Sequence, residues 1–129
     1  MKAVVMNEYG GPEVLKFADY PDPTPGPGDV LVKVAAASIN PIDVLQRSGA
    51  TKDFFPVEFP GAIGWDVSGT LLKLGPGVGQ FSVGDRVFGW AFHTYAELCV
   101  VKANLLAKVS DGLDLVEAAA LPLVTITGN

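Results

Sequence analysis

The chain has 129 residues, nine Lys plus Arg against fourteen Asp plus Glu, and a formal charge of −5, so it reads as one acidic domain that can bury roughly two-thirds of its unfolded surface without staples. An apolar share of 49% excludes disorder, and fifteen Gly with ten Pro point to a turn-dense β fold. A single cysteine, Cys99, and a single histidine, His93, exclude a disulfide framework and the familiar zinc sites, whose ligands are three or four Cys and His.

Residues 2–6 predict a short β-branched strand, followed by a Gly10-Gly11-Pro12 turn and a second run over 14–17. Pro21, Pro23, Pro25, Gly26, Pro27 and Gly28 then form an extended loop, because each proline removes a donor and holds its predecessor out of the helical region. Residues 29–38 (DVLVKVAAAS) alternate and then turn wholly small and apolar, the pattern of a strand passing from a half-exposed to a buried position. Asn40 as cap, Pro41 at the first helical position, Asp43 near the positive end and Gly49 as stop predict a helix over 41–48.

Residues 51–60 carry Phe54, Phe55, Pro56, Phe59 and Pro60 and read as a loop with aromatic anchors. Residues 63–74 (IGWDVSGTLLKL) predict one long strand in which Gly64 and Gly69 mark a bulge, a bend or a close backbone approach. A Gly75-Pro76-Gly77-Val78-Gly79 turn and strands over 86–90, 94–101 and 106–109 complete a barrel-like pattern. Asp114 and Glu117 have the spacing of a capping pair for a helix through 121, and Pro122 begins an apolar segment that runs without a stop to Asn129. An apolar pattern cut at full strength suggests a truncated boundary, with a short native protein as the alternative.

The glycines at 75, 77 and 79 lack dinucleotide-loop spacing and open no helix, so they are read as a turn. Neither a nucleophile elbow nor a Gly-x-Gly-x-x-Gly occurs elsewhere. The first residues contain no secretory apolar core and no run reaches membrane-spanning length, which makes a cytoplasmic setting the expectation. The acidic balance without basic clusters argues against nucleic acid or an anionic membrane as partner. His93 reads as structural or exposed, and Cys99 as a small buried hydrophobe.

Residues 36–49 (AASINPIDVLQRSG), 59–69 (FPGAIGWDVSG), 84–87 (GDRV) and 94–97 (TYAE) resemble, in order and spacing, the N-terminal GroES-like catalytic domain of the medium-chain dehydrogenase/reductase superfamily. The fold this implies is mainly β with short helices, a partly open GroES-like barrel over residues 1–121. Residues 117–128 (EAAALPLVTITG) are similar to the passage into the family's nucleotide-binding domain, so 122–129 would begin the connection to an absent α/β Rossmann domain.

The departures imply a branch. Zinc alcohol dehydrogenases carry a cysteine ligand where this chain has Asn40, a histidine ligand where it has Trp65, and a proton-relaying hydroxyl where it has Ile42. The resemblance is therefore to the zinc-independent quinone oxidoreductases, the zeta-crystallin-like enzymes, in which hydride passes from NADPH to a quinone or conjugated enone. It implies no metal and no zinc, with Asn40 as the catalytic residue holding the nicotinamide or the substrate carbonyl. Thr127 would be a second cofactor contact. Leu45, at a position where relatives often carry a tyrosine, would line the cleft for a small apolar carbonyl or quinone with Phe55, Trp65, Trp90 and Phe92. Asp43 would make a structural hydrogen bond to backbone or to Arg47.

The missing nucleotide half implies that this chain alone has negligible NADPH affinity and no activity. A second reading stays open, that of a non-catalytic barrel serving as a scaffold or binder of small apolar ligands. A homo-oligomer is equally left open.

Overall fold

The computed structural model describes residues 1–122 and contains two open antiparallel sheets and two short α-helices. In the first sheet, β1 (Lys2–Met6) lies between β2 (Lys16–Asp19) and the two-residue β4 (Gly61–Ala62). The second has the order β7-β3-β5-β6-β8, built from β3 (Asp29–Ala36), β5 (Asp66–Leu74), β6 (Arg86–Trp90), β7 (Leu98–Lys102) and β8 (Leu106–Lys108). The sheets are joined without a closed ladder: Ala3 bridges Ala96, Val4 N donates to Tyr95 O at 2.8 Å and Glu97 N donates to Lys2 O at 3.0 Å. This is the partly open form that the sequence implies.

Alternation along the central strands places Val30, Val32, Val67, Leu71, Val87, Cys99 and Val101 in the main core, and the 75–84 turn folds Val78 and Phe81 against it. Met6, Val14, Val57 and Ile63 form a second core under the smaller sheet. Cys99 is buried as expected, and burial alone pushes its thiol up to about 12.

Three expectations are corrected. The burial gradient of β3 runs the other way, with Val30 to Val32 buried and residues 33–36 half-buried or exposed; β5 pairs along the strand to Ala36, but β7 pairs only with residues 29–33. The strand expected over 63–74 is split: Gly64 takes φ +118, and a Cβ there would strike the Thr94 hydroxyl. Only glycine permits that turn. Gly69 remains inside β5, where a Cβ would strike the Lys33 carbonyl, so it serves the close approach of β3. Finally, the strand expected over 94–101 begins only at Leu98, since Thr94 to Ala96 are spent joining the two sheets.

Helix α1 (Pro41–Ser48) has the predicted bounds and ends on Gly49 at φ +88. Helix α2 (Leu115–Ala118) starts at Asp114, which accepts from Val116 N at 3.0 Å, and stops three residues short of the expected end. Residues 123–129, including the cofactor contact expected at Thr127, lie outside the described residues.

Candidate functional site

Two groups of side chains meet at the start of α1. The first is polar. Asp66 begins β5 with no exposed surface, and a buried carboxylate must find donors. It finds them in the chain leading into α1: Ser38 N donates to Oδ1 at 3.0 Å, the Ser38 hydroxyl lies 2.7 Å from both carboxylate oxygens, and Asn40 Nδ2 donates to Oδ2 at 3.3 Å. Asn40 Nδ2 also reaches Ser38 Oγ at 3.2 Å.

Asn40 itself is 8% exposed at the N-cap position. Its backbone N–H donates to Asp43 Oδ2 at 2.8 Å, and the Tyr95 hydroxyl donates to the same oxygen at 2.7 Å. Asp43 Oδ1 is buried with no partner among the described residues. Burial raises the Asp43 carboxyl above its ordinary range, the Tyr95 and Asn40 bonds pull it back, and the neighbouring Asp66 adds to the rise. Burial, then the Asp43 carboxylate, hold the Tyr95 hydroxyl firmly protonated. The structural role expected for Asp43 thus falls on backbone and Tyr95. Arg47 is not its partner, because the guanidinium turns away to donate to Gly10 O at 3.2 Å.

The second group is aromatic. Trp65, only 4% exposed, stacks on Trp90 at 6.1 Å between centroids and 19° between planes, and meets Phe55 and Phe92 edge-on, each at 5.0 Å. Trp90 and Phe92 lie 5.6 Å apart, so the four residues expected from the resemblance are brought together. Gln46 on α1 fastens them, accepting from Trp65 Nε1 at 3.0 Å and donating to Phe55 O at 3.3 Å. Trp90 Nε1 is buried with no partner among the described residues. Cross-strand pairing of Asp66 with Trp90 sets the polar group beside the aromatic one.

Leu45 stands on the open side of α1, 45% exposed and next to Gln46. His93 takes φ +62 and sets Nδ1 2.8 Å from Ala62 O, while its ring lies 6.4 Å from Phe92. Asp66, Ser38, Gln46 and Tyr95 went unnoticed as site residues in the sequence. One signal was available for Asp66: a carboxylate between Trp65 and Val67 in a strand expected to be buried demands partners.

The donor set does not suit a zinc ion. The indole of Trp65 offers no in-plane lone pair and spends its N–H on Gln46, and the Asn40 amide nitrogen is a donor already in use. What the arrangement offers is a packed aromatic cluster beside one buried, oriented amide.

The alcohol dehydrogenase GroES-like domain family matches residues 26–111. The chain is 35% identical over 132 residues to the chloroplast envelope quinone oxidoreductase homolog of Arabidopsis thaliana, covering 98% of this chain and 40% of that protein. It is 37% identical to the quinone oxidoreductase of Pseudomonas aeruginosa, covering 98% of this chain and 38% of that one. Among solved structures, the quinone oxidoreductase of Escherichia coli complexed with NADPH superposes with a TM-score of 0.90 at 29% identity, over 98% of this chain and 39% of that chain. The chain thus spans about two-fifths of the length of these relatives. On the match of its central 26–111 segment, the chain belongs to the alcohol dehydrogenase GroES-like domain family of the medium-chain dehydrogenase/reductase superfamily.

Proposed function

We propose that this chain supplies the substrate side of a zinc-independent, NADPH-dependent oxidoreductase that passes hydride to a quinone or conjugated enone. The observation that carries the reading is the Trp65 ring, buried against Trp90, Phe55 and Phe92 at a position where zinc relatives would need an imidazole. A quinone or enone is already electrophilic, so hydride addition asks for orientation and water exclusion rather than a Lewis acid. An aromatic wall orients a flat apolar acceptor by face and edge contacts and excludes water from the reacting carbon.

Asn40 would hold the nicotinamide end of the cofactor, whose chemistry when bound is hydride donation. The rigid start of α1, pinned by Asp43 and Tyr95, keeps that contact in place. The quinone oxidoreductases among the relatives, one of them solved in complex with NADPH, support quinone reduction and NADPH use. The remaining three-fifths of their length is where a nucleotide-binding half belongs in this reading, and a cytoplasmic setting without membrane or nucleic-acid partners goes with it.

Assaying the whole gene product with NADPH and 1,4-naphthoquinone, in the presence of a metal chelator, tests the proposal. The expected result is chelator-resistant NADPH oxidation. Absence of turnover with any quinone or enone would favour the scaffold instead, and chelator-sensitive alcohol oxidation would overturn the zinc-independent assignment.

A further inference from the structure

We propose that Ser38 and Asp66 are positioning residues that fix the polarity of the Asn40 amide, so that Asn40 meets its ligand as a hydrogen-bond acceptor and selects a group bearing an N–H or O–H donor. The inference rests on the reading that Asn40 lines the hydride-transfer site, and it decides which of two ligand groups Asn40 can hold.

A primary amide has two N–H donors on one side and an acceptor oxygen on the other, and turning it over exchanges them. In this chain the nitrogen faces Ser38 Oγ at 3.2 Å and Asp66 Oδ2 at 3.3 Å. Ser38 can accept there because its own proton is committed to the Asp66 carboxylate, 2.7 Å away, and its backbone N–H is committed to the same carboxylate at 3.0 Å. The donors therefore run in one direction, from Asn40 through Ser38 into Asp66.

The reverse orientation would press the amide oxygen against a carboxylate oxygen in a site with no exposed surface at Asp66. Lone pairs would face each other where the surroundings are poorest at screening them. Only one orientation survives: the carbonyl oxygen turns toward the Asp43 backbone N–H in the capping box of α1, and its second lone pair is the part of the amide left for a ligand. A quinone or enone carbonyl offers no proton and cannot bind that oxygen. A carboxamide N–H, such as the one on a nicotinamide ring, can. Asn40 is thereby assigned to the cofactor side of the site, and the acceptor's carbonyl must find its donor elsewhere.

Two measurements test this. In the 129-residue chain, the side-chain NH2 protons of Asn40 are followed by NMR against those of the exposed Asn7 and Asn104. Exchange with water slowed about tenfold or more relative to both is expected. Exchange as fast as that of Asn7 would overturn the proposal whatever the enzyme does.

In the whole gene product, the ratio of kcat/KM for NADPH to that for its 3-acetylpyridine analogue, which replaces the carboxamide NH2 by methyl, is compared across variants. Asp66→Asn sets an NH2 against Asn40 and lets the amide turn over, so the ratio is expected to fall about tenfold, the loss of one hydrogen bond. Ser38→Ala should lower it in the same direction, and Ser38→Thr, which keeps the hydroxyl, should restore it. An unchanged ratio in Asp66→Asn, with Asn40→Ala lowering it, would overturn the positioning role. An unchanged ratio in Asn40→Ala, with the NH2 protons still protected, would overturn the placement of the cofactor at Asn40 while the amide polarity stands.

Discussion

The Tyr95 hydroxyl donates to Oδ2 of Asp43 across 2.7 Å, and this bond ties the segment that joins the two sheets to the first turn of α1. The same oxygen takes the backbone N–H of Asn40, so the amide of the candidate site is anchored through a carboxylate that touches no solvent to speak of. Losing the phenol would leave that carboxylate with one donor fewer. Tyr95→Phe is expected to cost about 1.5–3 kcal/mol in urea unfolding, the range for a hydrogen bond to a charged group.

The Asp43 carboxyl also predicts a pH dependence. Its raised value means the folded chain holds the proton over a range where the unfolded chain, near 3.8, has released it. Stability from this group is therefore greatest below 3.8, falls as the pH rises through the folded value, and is level above it. Asp43→Asn has no such titration. Measured by urea unfolding at a series of pH values, the stability of the wild type minus that of Asp43→Asn should decline across that window; a rise with pH would contradict the sign.

Gly64 predicts a contrast between two glycines. With φ +118 and the Thr94 hydroxyl and Tyr95 ring in the space of a Cβ, Gly64→Ala should cost about 2 kcal/mol or more through strain and overlap. Gly79 has open space around it, so Gly79→Ala should stay within about 0.5 kcal/mol of wild type. Equal melting temperatures for the two variants would contradict the break seen between β4 and β5.

Cys99 should be chemically silent. With its thiol pushed up to about 12 by burial, only about one molecule in ten thousand carries thiolate at pH 8, and the sulfur is covered by the main core. An aromatic disulfide reagent is expected to titrate no thiol in the native chain and one in guanidinium. Prompt native labelling would show that β7 does not pack as described.

The parts of the fold written in local chemistry were legible. Asn40, Pro41 and Gly49 bound α1 to the residue, and residues 86–90 are a strand end to end. The break at Gly64 was not, because its cause is the Thr94 and Tyr95 side chains thirty positions along the chain, and glycine in a strand pattern signals a bend as readily as a gap. The gradient along β3 runs against the sequence pattern for a related reason: small residues mark burial only where neighbouring strands cover them, and β7 covers the other half. At the site, the resemblance brought out the aromatic residues, which do cluster. It passed over Ser38, Asp66, Gln46 and Tyr95, whose roles are made by contacts between elements 19 to 52 residues apart, together with one short local pair.

The isolated chain should bind cofactor negligibly, since a single wall of a cleft loses association entropy without enough contact to offset it. Calorimetric titration of NADPH into the 129 residues is expected to show no saturable heat, and micromolar affinity would mean that these residues hold more of the cofactor than Asn40 can.

Hydride transfer is tested by following the hydride itself. The whole gene product is given NADPH deuterated at the transferable nicotinamide position, together with a conjugated enone, and the product is weighed by mass spectrometry. Hydride transfer across the Asn40 and Trp65 site predicts a saturated ketone carrying one deuterium at the carbon β to the carbonyl. Turnover that leaves the product unlabelled, or no turnover of any enone or quinone, would contradict it.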